Sequence, residues 1–322
     1  MTKWKSTLSD PMIAVLLIAT GLALIVPATG QARESAQTIS NVSIFLLFLV
    51  NGMRIARGEI ARAAANWRFF VPLVLFVFGA MALLGAASAS IAGLLVPPEI
   101  ALGFIFLGVL PSTIQSATSY TTLAGGNAAL SVVGAALINI LGVFLSAPLF
   151  ALIAGSEAVD LGTETIIRIG VILLLPFALG QAVQGFTRDW LIERKARIVW
   201  LDRIVIGIAV YVAMSGAVGQ GLISDISPVA GAWLVIVTFN FMTLAYFLAW
   251  KVGGLGGYSR EDRIAFLFAG PQKSVAIGAP LAAILFAPAM AGFVIAPLLL
   301  YHLLQLLVAA PLATRLAHPP AH

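Results

Sequence analysis

Residues 269–280 read AGPQKSVAIGAP and set a lysine, Lys273, between Gln272 and Ser274 inside an otherwise lipid-compatible run. A lysine at the centre of a membrane helix costs about 2.5 to 3.5 kcal/mol on insertion scales, and such residues face the bundle interior and mark ligand or ion paths. Snorkelling to a headgroup is the competing explanation, but Lys273 lies about twelve residues, or about 18 Å, from either end of its run, which is too far. A second polar cluster follows Pro111 and comprises Ser112, Thr113, Gln115, Ser116, Thr118 and Ser119. Pro111 and Pro271 each remove a backbone donor and crowd the preceding turn, so both helices are expected to break near mid-membrane. Backbone groups freed at a break cannot face lipid and must be buried in protein or line a wet cavity. Prolines and small residues also serve packing in membrane helices. Two such breaks at corresponding places, each rich in polar side chains, point instead to a substrate or ion site.

The chain that must position these residues has 322 residues, 61% of them hydrophobic and 10% charged, with a mean hydropathy of +1.04. A soluble globular domain is excluded, and the expected class is an all-α membrane protein. There is no cysteine, which removes disulfides and thiolate metal sites. About 20 apolar residues span a bilayer core. Ten runs qualify, near 11–28, 37–53, 69–94, 99–123, 127–154, 164–186, 198–220, 228–250, 262–286 and 289–314.

The net charge of +5 reads as a topology signal and not as a nucleic-acid footprint. With the N-terminus inside, Lys3, Lys5, Arg54, Arg57, Arg62, Arg68, Arg188, Arg194, Lys195, Arg197, Arg203, Lys251, Arg260, Arg263 and Arg315 all fall on the cytoplasmic side, fifteen of eighteen basic residues. Arg33 and Arg168 lie opposite, among Glu34, Glu99, Glu157, Asp160, Glu164 and Asp225. This asymmetry predicts a cell-membrane protein with both termini cytoplasmic, and Trp67, Trp190, Trp200 and Trp250 stand where an interfacial belt belongs. Lys3, Lys5 and the run 12–26 before PATGQA also fit a secretory signal peptide. Removing that run would leave nine helices and break the symmetry described next, so it is taken as the first span.

Spans four and five carry LPSTIQS and LSAPLF, with Pro111 and Pro148 37 residues apart; spans nine and ten carry AGPQKSV and VAAPLA, with Pro271 and Pro311 40 apart. Nine residues before the second proline of each pair stand Asn139 and His302, taken as the deepest polar positions of their helices. The chain therefore divides into five-helix repeats, 1–154 and 164–322, joined by an extracytoplasmic linker at 155–163. An odd helix count per repeat inverts the second copy, which is transporter architecture.

LAGGNAALSV at 123–132, the break before it and PQKS resemble the bile acid:sodium symporter family, in its symporter-like branch related to the seventh member of solute carrier family 10. The resemblance covers nearly the whole chain. It implies a panel of helices 1, 2, 6 and 7 beside a core of helices 3–5 and 8–10, with helices 4 and 9 crossing at their breaks. It also implies alternating access and transport of amphipathic organic anions with sodium. Sodium-coupled members place Ala-Ser-Asn in helix four. Anchoring on GNAALSV puts the Ser and Asn on Ala117 and Thr118, and anchoring on Pro111 puts them on Ser116 and Ala117. Ser131 matches a helix-five Ser, its Thr partner becomes Ala135, Gln272 matches a helix-nine Gln, and Phe268 stands where those members have Glu. The implied weak sodium site is thus Ser116, Thr118, Ser131 and Gln272. Every Asp and Glu falls in a loop or near a predicted helix end, so sodium there would meet neutral oxygens and a repelling ammonium.

Three roles fit Lys273. Its ammonium can replace a sodium ion, holding the crossed helices through carbonyls and the oxygens of Gln115, Ser116 or Thr118. It can titrate and couple proton release to transport. It can also attract an anionic substrate, helped by positive half-helix ends. The first two are compatible. His302 and Asn139 are expected to hydrogen-bond across helices, with a proton role for His302 as the alternative. An intramembrane enzyme is disfavoured: H-E-x-x-H is absent, as are paired membrane acids. A channel or a non-transporting sensor or scaffold of the same fold are the other readings. No cofactor is expected beyond sodium or a proton as coupling ion.

Overall fold

The computed structural model describes residues 11–54, 58, 65–155, 167–219 and 226–317, and among these the chain is helical with no strand. The helices are α1 (Pro11–Ile25), α2 (Gly30–Arg54), α3 (Trp67–Ala92), α4 (Pro98–Val109), α5 (Ile114–Leu123), α6 (Ala128–Ala154), α7 (Leu175–Glu193, entered through a π-helical turn at Gly170–Leu174), α8 (Lys195–Val218), α9 (Pro228–Leu255), α10 (Arg260–Ala269), α11 (Val275–Leu285) and α12 (Pro288–Ala317). Seven helical stretches among the described residues are long and apolar enough to cross a membrane, and α4 with α5, bent by 63° at their break, make an eighth if taken together. α1 and α11 are shorter apolar helices. Leu83, Phe186, Ile236 and Phe247 are among the large apolar side chains left exposed, an exterior suited to lipid.

A helix or a broken pair underlies each of the ten apolar runs, with several shifted boundaries, among them the ends of α7 at Glu193 and of α9 at Leu255. α2 starts at Gly30 and not near 37, because the polar stretch QARESAQ consists largely of good helix formers and needs no apolar face to coil. α1 stops at Ile25, just ahead of Pro27 and the extended residue that proline favours before it. Beyond Gly155 the 155–163 linker lies outside the described residues, as do Lys3, Lys5, Arg57, Arg62, His318 and His322.

Packing explains several local irregularities. α7 lies along α2 so closely that a Cβ on Gly52 would overlap the Phe177 carbonyl, and one on Gly180 the Leu49 carbonyl. Glycine at both positions lets the two backbones touch. Pro72 in α3 cannot donate to the Arg68 carbonyl, which accepts instead from the Tyr258 hydroxyl at 2.8 Å. The helix then widens into a π-turn at Phe76–Ala80, where the Phe76 ring packs on Gly270 at the end of α10. α6 passes the other break, with Gly142 against the Pro111 ring.

Candidate functional site

The two broken pairs meet at their breaks. α4 ends at Val109, Leu110 and Thr113 are extended, and α5 begins at Ile114; α10 ends at Ala269, Ser274 is extended, and α11 begins at Val275. The first break exposes five consecutive carbonyls, and each finds a donor from another helix or from the second break. Lys273 Nζ donates to the Gly108 and Leu110 carbonyls at 2.9 and 2.7 Å. Ser146 Oγ donates to Val109 O at 2.9 Å, the Ser274 amide to Pro111 O at 3.0 Å, and Asn139 Nδ2 to Ser112 O at 2.6 Å. A buried acceptor left without its donor costs about 1 to 3 kcal/mol, so this set of donors is what lets an open backbone persist inside the bundle.

The second break is clamped by α12. The Tyr301 hydroxyl donates to Pro271 O at 2.7 Å. Gln305 straddles Lys273, its Oε1 accepting from the Lys273 amide at 2.9 Å and its Nε2 donating to the Lys273 carbonyl at 3.1 Å. Gln305 Nε2 also lies 2.9 Å from His302 Nδ1. Because the Lys273 amide fixes Oε1, the other end of Gln305 must be its NH₂, and His302 Nδ1 is the acceptor.

Lys273 is fully buried, and its described partners are carbonyls; the hydrogen bonds of its ammonium do not include Gln115, Ser116 or Thr118. The hydroxyls gather instead around its neighbour. Gln272 Oε1 stands within hydrogen-bond reach of Thr113 Oγ1, at 3.1 Å, and of Ser116 Oγ, and the two hydroxyls also lie against each other; their two protons serve two of these three contacts at a time. The side-chain amide of Gln272 also faces the buried Tyr246 hydroxyl. Of the four residues of the implied sodium site, the structure joins Ser116 to Gln272. Ser131 bonds with Thr121 Oγ1 at 3.2 Å, while Thr118 Oγ1 and Ser112 Oγ are buried without a described partner. Phe268 is fully buried, with the rings of Tyr120 and Tyr246 centred 5.9 and 6.3 Å away. Ser274 caps α11, accepting from the Ile277 amide at 3.3 Å.

Beside the breaks lies a cavity of about 410 Å³. Thr113, Gln115, Ser116, Ser119, Asn139, Ser274 and His302 line it, whereas Lys273, Gln272, Thr118, Ser112 and Ser131 are not among its lining residues. The first turns of both α5 and α11 reach it, through Ile114, Gln115 and Ser116 on one side and Val275, Ala276 and Ile277 on the other. Two helix N-termini, each equivalent to roughly half a positive charge, therefore border one space. The facing wall comes from α1, α2, α7 and α8 and includes Met12, Phe48, Arg54, Phe177 and Asp202.

Two groups of residues escape a reading of the sequence. Tyr301, Gln305 and Ser146 clamp the breaks, and Gln305, fully buried, lies deeper than His302, which is 6% exposed. Likewise Ser131 and Ser146 are fully buried where Asn139 is half-buried, so Asn139 and His302 are not the deepest polar positions of their helices. A signal existed for Gln305, a second polar residue three positions after His302 on the same face of an apolar helix. Arg54 and Asp202, 148 residues apart, join at 2.7 Å on the cavity wall, and no local pattern announces that pair.

An apolar exterior, membrane-length helices and a polar cavity at paired helix breaks define a multi-pass membrane protein. Sequence comparison narrows the class. The profile of the SBF-like CPA transporter family matches residues 10–318, and the chain belongs to that family. It is 35% identical over 308 residues to the uncharacterized protein PA2026 of Pseudomonas aeruginosa, covering 95% of this chain and 91% of the relative. It is 31% identical over 306 residues to the putative symporter YfeH of Escherichia coli, covering 95% and 92%. Identity to sodium/bile acid cotransporter 7 of Mus musculus is 23% over 314 residues, covering 92% and 89%.

Proposed function

We propose that this protein is a secondary active transporter moving a small or amphipathic organic anion by alternating access, and that the Lys273 ammonium stands in for a coupling sodium ion. The observation that carries the reading is the position of Lys273 Nζ, hydrogen-bonded to the Gly108 and Leu110 carbonyls where the two breaks meet beside the cavity. An ammonium on backbone carbonyls does there what a monovalent cation would do, and its positive charge would repel a sodium ion at the neighbouring Gln272. Titration of the same group is the route by which proton release would couple to transport.

The inverted-repeat arrangement is supported by the way each broken pair is clamped by the long helix that follows it. α6 supplies Ser146 and Asn139 to the first break, and α12 supplies Tyr301 and Gln305 to the second. In this architecture α1, α2, α7 and α8 form the panel and the remaining helices the core, with the cavity between them. Arg54 and Arg203 lie on the side that the positive-inside rule makes cytoplasmic, so this state is inward-facing. The substrate anion rests at the N-termini of α5 and α11, held by Thr113, Gln115, Ser116 and Ser274, with Ser119, Asn139 and His302 bounding it.

Counterflow of organic anions into proteoliposomes, with and without sodium and across pH, tests the proposal. Expected is substrate-dependent counterflow that persists without sodium and changes with pH. Strict sodium dependence with no pH dependence overturns the stand-in role of Lys273, and conduction or binding without counterflow favours a channel or a sensor.

A further inference from the structure

The cavity carries more positive charge than one acid group would neutralise. On one side are the N-termini of α5 and α11. On the opposite wall, Arg54 Nη2 donates to Asp202 Oδ2 at 2.7 Å, and Arg203, its guanidinium 5.1 Å from the Trp200 ring centroid, acts on the same carboxylate. All three charged residues line the cavity, and they leave one net positive charge. With about half a charge from each helix end, the cavity presents roughly two positive charges in all. The cavity lining also includes the apolar side chains Phe48, Val143, Phe177 and Ile206.

This cluster is more than an interfacial arginine pair set by topology. Asp202, from a different helix, holds Arg54 against the cavity wall, where an unrestrained arginine near a helix end would reach for headgroups. The described bond to Asp202 uses one of the five N–H donors of Arg54, which leaves capacity for a second anion.

We propose that the substrate is a dianion with an apolar body and an acid group at each end, one at the N-termini of α5 and α11 and the other at Arg54 and Arg203. This rests on the transporter reading and narrows its substrate class. Asp202 acts as a positioning residue for Arg54.

The test is uptake and counterflow of octanedioate and decanedioate against their monomethyl esters, which keep the length and lose one charge, by wild type, Arg203→Gln and Arg203→Lys in proteoliposomes. Wild type is expected to favour the diacid about tenfold in kcat/KM, the scale of one charge-assisted hydrogen bond. Arg203→Gln should lose most of that preference through a higher KM for the diacid, and Arg203→Lys should restore part of it. Flux of the monoester with no diacid advantage in wild type, or an undiminished advantage in Arg203→Gln, overturns this inference and leaves the transporter reading standing. Absence of flux for both compounds in wild type overturns this inference, and the transporter reading falls with it only when the other organic anions also give no counterflow.

Discussion

At the scale of the residue, Lys273 is a donor before it is anything else. Replacing it with alanine leaves the Gly108 and Leu110 carbonyls buried and unpaired, a cost of about 1 to 3 kcal/mol for each. Lys273→Ala is therefore expected to lower the melting temperature of the purified protein and to abolish or uncouple transport. If the ammonium stands in for a cation, added sodium should recover more of that melting temperature in Lys273→Ala than in wild type. An equal response of the two would count against the replacement. Gln305→Leu makes a complementary test, since it keeps the lysine side chain and removes the clamp on the Lys273 amide and carbonyl. It should destabilise by a similar amount, and it also frees His302 Nδ1. Unchanged melting of Gln305→Leu would mean that the second break is held by other contacts.

Among the elements, the pair α2 and α7 depends on two glycines at one crossing. Gly52→Leu would drive a side chain into the Phe177 carbonyl, which neither backbone can yield without separating. The expected cost is about 1 to 3 kcal/mol or more, read as a lower melting temperature and a smaller monodisperse fraction in detergent. Gly21→Ala is the matched control, because a Cβ there meets nothing within 4 Å. Equal behaviour of the two variants would show that the crossing is looser than its geometry. The same scale shows how far sequence reasoning reaches. Pro111 and Pro271 make both breaks legible, since a missing donor is a local property. At the first break Lys273 and Ser274 of the other break satisfy three carbonyls, and the remaining donors at both breaks come from α6 and α12, where Ser146, Tyr301 and Gln305 look like ordinary polar residues in apolar helices.

For the whole molecule, the inward-facing assignment has a direct test, because the natural chain has no cysteine. Ser119 lines the cavity and is exposed, so Ser119→Cys should react with a membrane-impermeant thiol reagent applied from the cytoplasmic side, and a bound substrate should protect it. Labelling from the outer face alone would reverse the assigned orientation. Labelling from both faces in turn, as conditions change, is the signature of alternating access.

The sequence by itself determined the class of protein, the approximate position of its apolar helices, the two breaks and the odd charge at Lys273. Each of these follows from local properties, namely hydropathy over a helix length, a missing proline donor and a lysine far from any interface. Tertiary structure alone decided which groups that charge satisfies. The expected crossing of the two breaks offered Gln115, Ser116 or Thr118 as partners of Lys273, yet its Nζ went to the Gly108 and Leu110 carbonyls and Ser116 went to Gln272. It also decided that Arg54 and Asp202 share a cavity wall. Hydrogen bonds are satisfied in space, and at a helix break the partners come from whichever chain segment packs there, which no local pattern encodes.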